Sequence, residues 1–284
     1  MHTLILFLLI SSTLLFANLK AIVSIPPQVT FLKAIAGDKV DITLMVEAGN
    51  SPHTYEPKPS QMKAIAKADV YFSIAVEFED TWLPKFQNLN KNMQTISLAK
   101  GIDKSPMNPC TAHSHAKHTH DESTDPHIWT SPRNVKIMAQ TLYDALILLD
   151  SKNRKYYQKN LALFIKHIEE TDKSIQKTLS TLNAEGRRFM VFHPSWGYFA
   201  KEYFLKQIAV EVGGKSPKPK AMVKLIKKAQ IEKVSAIFTQ AEFSDASAKI
   251  IAKELNIPVI KVSPLAEDWS NNLIKIANAI AGKE

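Results

Sequence analysis

The sequence predicts an α/β protein in which two halves with parallel sheets flank one long helical connector. Short β-rich runs alternate with helical segments from Leu19 to Leu98, and the same alternation restarts at Phe189 and continues to Ile280. Such alternation is typical of parallel sheets covered by helices. With 284 residues, of which 45% are hydrophobic, the chain is long enough for two lobes with their own cores.

The elements follow from runs rich in β-branched and aromatic residues, each bounded by Gly, Pro, Asn or Asp. In the first half we expect strands at 19–25, 41–46, 70–76 and 93–98, with helices at 29–36, 60–66 and 81–87. In the second half we expect strands at 189–192, 207–212, 236–239 and 258–262, with helices at 196–203, 218–230, 246–255 and 269–280.

The connector between the halves is predicted to contain a long helix. Residues 155–182 include no Gly or Pro and carry apolar side chains three, four or seven apart, interrupted once by Asp172. At 1.5 Å per residue this segment would form a helix of roughly 40 Å, long enough to run along both lobes and limit hinge bending. Two shorter helices with a break are the alternative.

Residues 1–17 differ from the rest of the chain because they form an apolar stretch of the length of a signal-peptide core. We therefore expect export to the periplasm. The stretch has no Lys or Arg before it, and cleavage after Ala17 would leave Leu15 at the −3 position, so an uncleaved membrane anchor is the alternative. The predicted lobes span 18–132 and 185–284, with the connector at 133–184.

Charge and cysteine content exclude several kinds of site. The net charge of +9 comes from 36 basic and 27 acidic residues, but the lysines are spread along helices, so no nucleic-acid partner is expected. Cys110 is the only cysteine, which rules out an intramolecular disulfide and a thiolate metal cluster. Any metal site must use nitrogen and oxygen ligands.

In α/β proteins ligands bind in the loops at the carboxyl ends of the strands. Three of the nine histidines lie at such junctions between a predicted strand and a predicted helix. His53 lies in the loop after the second strand. His127 lies between Pro126 and Pro132, just before the connector, where the prolines restrict the backbone. His193 ends the first strand of the second half. Because they come from both halves and the connector boundary, a ligand that they share would lie in the cleft between the lobes.

Three imidazoles favour Zn²⁺, whereas Mn²⁺ accepts more carboxylate and water. The fourth position would be filled by water or an acid. By position in the sequence, Glu267 and Asp268 after the last strand are the nearest acids, and Glu242 and Asp245 after the third strand of that half are weaker candidates.

A second group of histidines lies in the loop 101–126, which has the prolines and polar residues of a segment unable to fold alone. Four histidines are concentrated at 113–120. Such a tract binds transition metals weakly, and we expect it to capture metal near the cleft. The alternative is a solvated polar linker.

Four segments resemble the metal-binding solute-binding proteins of bacterial ABC importers for zinc and manganese, in order and over nearly the whole mature chain. They read GNSPHTYEPKPSQ, DPHIWTSPRN, FHPSWGYFAKEYFLKQ and KAQIEKVSAIFTQAEFS. The resemblance implies two (β/α)₄ lobes joined by a backbone helix, one metal in the interlobe cleft, a membrane permease as partner, a monomer and no catalysis. The family's histidine ligands fall on His53, His127 and His193.

The zinc branch is similar to this chain in two respects, since manganese members typically have Glu where His193 stands and lack the histidine tract. The chain departs from the family at Pro52, where some zinc members have an acid, and at Ser263, where Asp is common. The alternatives within this fold are a manganese- or iron-binding protein and a metal-dependent adhesin. A zinc hydrolase is disfavoured because no HExxH or Ser/His/Asp arrangement is present.

Overall fold

The structure is a computed structural model that describes residues 18–107, 124–183, 186–211, 215–234 and 236–283. Within these ranges the chain forms two four-stranded sheets in which every strand pair is parallel, and helices cover both sheets. The predicted α/β fold class, with two parallel sheets and a long connecting helix, is confirmed. The predicted signal peptide (1–17) and the histidine tract (113–120) lie outside the described residues.

The first half alternates strands and helices as predicted. Its elements are β1 (Leu19–Val23), α1 (Pro26–Ala36), β2 (Val40–Leu44), α2 (Pro59–Ile65), β3 (Val70–Ser73), α3 (Glu77–Leu89) and β4 (Gln94–Ser97). The strand order is β2-β1-β3-β4. Val23 pairs with Leu44 on one side and with Phe72 on the other, so the carboxyl ends of these strands lie at one edge of the sheet.

The connector consists of a short 3-10 helix and two long α-helices. It begins at Ile128–Thr130 and continues as α4 (Pro132–Leu149) and α5 (Arg154–Leu179). The 26 residues of α5 make an unbroken helix about 39 Å long. The predicted single helix is therefore confirmed. Asp172, the polar interruption of its apolar stripe, accepts a hydrogen bond from the Tyr203 hydroxyl at 2.8 Å.

The second half repeats the architecture of the first. Its elements are β5 (Arg188–Val191), α6 (Gly197–Glu202), β6 (Lys206–Ala209), α7 (Pro219–Ile231), β7 (Ile237–Thr239), α8 (Ala246–Leu255), β8 (Val259–Lys261) and α9 (Trp269–Ile280). The strand order β6-β5-β7-β8 matches that of the first sheet when both are counted from the same end. No helix in the described ranges is long and apolar enough to cross a bilayer.

One hydrophobic core runs through both halves because α1 and α9 pack on the same helix, α5. The Phe31 ring lies 5.8 Å from that of Phe164 and 5.6 Å, edge to face, from that of Trp269. Trp129 and Trp269 extend this contact, since Trp269 Nε1 donates to the Trp129 carbonyl at 2.7 Å. The halves are thus joined by buried aromatic packing as well as by the connector.

Strand β3 ends earlier than the predicted 70–76 because a buried carboxylate takes over its backbone donors. The N–H groups of Ile74 and Ala75 donate to Glu79 at 2.9 and 2.8 Å, and Ala75 adopts a left-handed conformation with φ 65°. Ser24 Oγ also donates to this carboxylate. Burial raises the pKa of Glu79 from 4.5 to about 7.

Candidate metal-binding site

The three predicted histidines meet at one pocket between the halves. His53 lies in the loop after β2, His127 immediately precedes the 3-10 helix, and His193 follows β5. The pocket is lined by these histidines together with Ser51, Pro52, Val76, Glu77, Pro126, Trp129, Ser195, Glu242, Phe243, Pro264 and Leu265. Sequence elements far apart in the chain are therefore brought together at the carboxyl ends of both sheets.

The spacing of the imidazoles is close to that of ligands on one metal ion. The ring centroid of His193 lies 5.4 Å from that of His53 and 5.4 Å from that of His127. Two imidazoles on a tetrahedral Zn²⁺ with Zn–N bonds of about 2.0–2.1 Å would have centroids about 5 Å apart. No group of three or more His, Cys, Asp or Glu side chains within the described ranges is already oriented to hold a metal.

Asp125 fixes the orientation of His127. Its Oδ1 accepts the His127 backbone N–H at 2.9 Å and lies 2.8 Å from His127 Nδ1. Because an ionised carboxylate only accepts, Nδ1 carries a hydrogen in this contact, and in the neutral ring Nε2 then keeps its lone pair. Both side chains are buried, with exposures of 4% for Asp125 and 8% for His127. A carboxylate behind a histidine is a common support for a metal-ligating imidazole.

Three residues hold His193. Its Nδ1 lies 3.0 Å from Glu211 Oε1, and its ring stacks on Phe243 with centroids 4.9 Å apart. Gln240 accepts the His193 N–H at 3.1 Å and donates to the His193 carbonyl at 3.0 Å. Among the described residues, His193 Nε2 has no hydrogen-bond partner although it is buried. A buried nitrogen without a partner is costly, and a metal ion would satisfy it.

His53 is the most exposed of the three, with 35% of its side chain accessible. Its Nδ1 lies 3.5 Å from Glu77 Oε1 at the start of α3. The ring is therefore less constrained than those of His127 and His193 and forms the solvent side of the pocket.

The acids that line the pocket differ from those nearest by sequence position. Glu77 and Glu242 contribute to the lining, whereas Asp268 and Glu267, ranked first from the sequence, do not. Asp268 caps α9 by accepting the Asn271 N–H at 3.3 Å, and Glu267 lies 3.9 Å from Lys33 Nζ. Helix capping and a surface contact therefore occupy these two carboxylates in the structure.

Asp245 and Ser263 each have a side-chain partner in the structure. Asp245 pairs with Lys249 at 3.0 Å, one turn along α8. Ser263 donates to Glu242 Oε1 at 2.7 Å. Glu242 Oε2 is buried and has no hydrogen-bond partner among the described residues. Glu242 therefore lines the pocket with one carboxylate oxygen that has no hydrogen-bond partner among the described residues.

Sequence reasoning missed Glu77, Glu211 and Gln240. Glu77 and Gln240 follow β3 and β7, so the rule that identified the histidines at strand ends applies to them as well. Glu211 lies beyond the end of β6, where the segment reads as an ordinary continuation of the strand. Its role depends on the parallel pairing of β5 with β6, which brings Glu211 beside His193.

A two-lobe α/β fold with a histidine-lined interlobe pocket defines a class of metal-binding solute-binding proteins. Residues 22–282 match the family model described as zinc-uptake complex component A, periplasmic (ZnuA). The chain belongs to this family of metal ABC transporter substrate-binding proteins, which are transport proteins and not an enzyme class. The resemblance stated from the sequence is confirmed.

Solved structures and curated proteins agree on the family but differ in metal. A crystal structure of ZnuA is 39% identical, with a TM-score of 0.85, and covers 94% of this chain and 99% of that one. A ZnuA deletion mutant with zinc bound is 40% identical, with a TM-score of 0.84, and covers 93% of this chain and 97% of that one. A manganese-bound periplasmic protein of Candidatus Liberibacter asiaticus, 24% identical with a TM-score of 0.78, covers 93% of this chain and all of that one and shares the fold.

Among curated proteins, the zinc-binding lipoprotein AdcA of Streptococcus pneumoniae R6 is 28% identical over 254 residues, which are 87% of this chain and 50% of AdcA. The chain thus spans about half the length of that relative. The manganese transporter lipoprotein PsaA of Streptococcus pneumoniae is 27% identical over 238 residues, 80% of this chain and 73% of PsaA. The family therefore includes both zinc and manganese proteins.

Proposed function

We propose that this chain captures Zn²⁺ in the periplasm and delivers it to the membrane permease of an ABC importer. His53, His127 and His193 would bind the ion. The observation that carries the proposal is the ring spacing of 5.4 Å on both sides of His193, close to that of imidazoles on one tetrahedral ion. The buried His193 Nε2, which has no protein partner within the described ranges, supports the same assignment.

Zinc is favoured over manganese by the donor set. Three imidazole nitrogens suit Zn²⁺, and the fourth position can be taken by water or by Glu242. The alternative is a manganese- or iron-binding solute-binding protein, or an adhesin of this fold. The pocket carboxylates Glu77 and Glu242 are the observation in its favour, since Mn²⁺ prefers oxygen ligands.

The supporting carboxylates would act by preparing the site before the ion arrives. Asp125 and Glu211 would accept hydrogen bonds from the Nδ1–H groups of His127 and His193. The lone pair of each Nε2 would then be available to the metal ion. Zinc binding needs neutral imidazoles, and these carboxylates would hold the two rings in the orientation that presents Nε2 to the ion. The tract 113–120, outside the described residues, would raise the local zinc concentration.

Export to the periplasm is part of the proposal. The apolar residues 1–17 support it, and so do the periplasmic description of the family and the lipoprotein names of relatives. Retention of this segment as a membrane anchor would equally leave the binding lobes outside the cytoplasm.

Growth under metal limitation tests the transport role. A strain that lacks this protein should grow poorly in zinc-depleted medium and recover with added zinc but not with added manganese. Wild-type protein should restore growth, as should His167→Ala, which changes an exposed histidine on α5. His127→Ala should fail although it is exported normally. Recovery with manganese alone, or full complementation by His127→Ala, would contradict the proposal.

A further inference from the structure

The carboxylate that orients His127 is itself held by the second half of the molecule. Asp125 is 4% exposed and lies against the first residue of α6. A Cβ atom placed on Gly197 would lie 2.3 Å from Asp125 Oδ2. Real Cβ atoms do not approach other atoms so closely, so any side chain at this position must displace the carboxylate.

The residue after Gly197 holds the backbone of the same acid. The buried Tyr198 hydroxyl donates to the Asp125 carbonyl at 3.0 Å and accepts the Ser105 N–H at 3.0 Å. Ser105 and Asp125 are also joined directly, because the Asp125 N–H donates to the Ser105 carbonyl at 2.8 Å. Gly197 therefore leaves the space that the Asp125 carboxylate occupies, and the Tyr198 hydroxyl holds the Asp125 carbonyl.

We propose that Gly197 and Tyr198 are positioning residues for His127. They fix Asp125, and Asp125 fixes the imidazole through its contacts with the backbone N–H and Nδ1. The segment 193–198 contains His193 as well as Gly197 and Tyr198, so it sets the positions of two pocket histidines from different parts of the chain. Metal binding in the cleft then depends on Gly197 and Tyr198 although neither residue lines the pocket.

The consequence for affinity rests on the proposed role of His127 as a zinc ligand, whereas the positioning itself can be measured without metal. In the metal-free protein the Asp125 carboxylate requires that His127 carry its hydrogen on Nδ1. Loss of that contact would let the imidazole exchange between its two neutral tautomers.

The first arm of the test is ¹⁵N-edited NMR of histidine-labelled, metal-free mature protein, with His127 assigned by substitution. Wild type should show the Nδ1–H form. Gly197→Ala should show a mixed or shifted signal, and Tyr198→Phe a smaller change in the same direction. The control is Tyr203→Phe, which removes the hydroxyl of a tyrosine that is equally buried but donates to Asp172 on α5. This variant should leave the His127 signal unchanged.

The second arm is the zinc dissociation constant, measured by chelator competition on the same proteins. Changes behind a ligating histidine typically weaken metal binding about 10- to 100-fold, which is the range expected for Gly197→Ala. Tyr198→Phe should weaken it by no more than about 10-fold, and Tyr203→Phe should not change it. If Gly197→Ala does not fold, the comparison of the two Tyr→Phe variants decides.

The outcomes separate this inference from the proposed function. Unchanged His127 signals in the folded variants would overturn the inference, as would equal effects of Tyr198→Phe and Tyr203→Phe. If the variants show altered His127 signals but the wild-type protein itself binds no zinc, the positioning role would be supported and the proposed function overturned. Altered signals together with the expected loss of affinity would support both.

Discussion

Glu211 lies behind His193, with its Oε1 3.0 Å from His193 Nδ1 and only 7% and 8% of the two side chains exposed. Glu211 follows β6 and His193 follows β5, so the contact is set by the parallel pairing of these strands. The same arrangement recurs at Asp125 and His127, 2.8 Å apart. Two of the three imidazoles in the pocket thus have a buried carboxylate on the nitrogen opposite the proposed metal donor.

Replacing Glu211 by Gln should weaken zinc binding about 10- to 100-fold, because the neutral amide holds the imidazole less firmly and makes Nε2 a poorer donor. Chelator competition at pH 7.5 measures the change. The matched control is Glu254→Gln, an exposed position on α8, which should bind as wild type does. Equal affinities for both variants would show that His193 does not need this carboxylate.

The pocket acids should affect manganese more than zinc. In Glu242→Gln and Glu77→Gln we expect the Mn²⁺ affinity to fall by a larger factor than the Zn²⁺ affinity, since Mn²⁺ depends more on oxygen ligands. Competition titrations of each metal against the same chelator series give both constants. A larger loss for zinc in Glu242→Gln would instead identify Glu242 as the fourth zinc ligand in preference to water.

Metal loading should leave the overall dimensions of the protein nearly unchanged. Helix α5 contacts both halves. Two buried contacts also join the halves, namely the packing of Phe31 on Trp269 and the hydrogen bond from Trp129 Nε1 to the Pro264 carbonyl. Wide closure would have to break these contacts. Small-angle scattering of the metal-free and zinc-loaded forms should give the same radius of gyration within error, whereas a clear decrease would indicate hinge closure.

Much of the fold and the histidines of the pocket could be predicted from the sequence. The helix 246–255 was predicted to the residue, because the apolar period and the bounding residues Asp245 and Asn256 are local features. His53, His127 and His193 could be found because each lies beside a predicted strand end or at the start of the connector.

The carboxylates could not be assigned in the same way. Asp268 and Glu242 both follow predicted strands, and sequence position alone ranked Asp268 first. Three-dimensional contacts separate them, since Asp268 caps α9 while Glu242 meets Ser263 at the pocket. The early end of β3 has a similar cause, because the Glu79 side chain accepts backbone N–H groups that a longer strand would use. Such competition between side chain and backbone depends on burial, which local patterns do not encode.

Glu79 should make stability fall as the pH rises. Burial raises its pKa from 4.5 to about 7, so between these values the folded protein binds a proton that the unfolded chain has released. The stabilisation is fully present below about pH 4.5 and is lost as the pH passes through 7. Between pH 5 and pH 8 the free energy of unfolding should decrease by about 2 kcal/mol because of this carboxyl group.

Urea unfolding of the metal-free protein and of Glu79→Gln at several pH values measures this effect. The free energy of unfolding of wild type relative to the variant should decrease between pH 5 and pH 8. A difference that stays constant with pH, or that increases, would show that Glu79 remains ionised in the folded state.

The central claim is that the three histidines hold one zinc ion in the cleft, and calorimetric titration tests it most directly. Chelator-stripped mature protein, His127→Ala and a variant without residues 113–120 would each be titrated with Zn²⁺ and with Mn²⁺. We expect one tight zinc site in wild type, its loss in His127→Ala and its retention after removal of the tract. Preferential binding of Mn²⁺, or loss of the tight zinc site only when the tract is removed, would contradict the account.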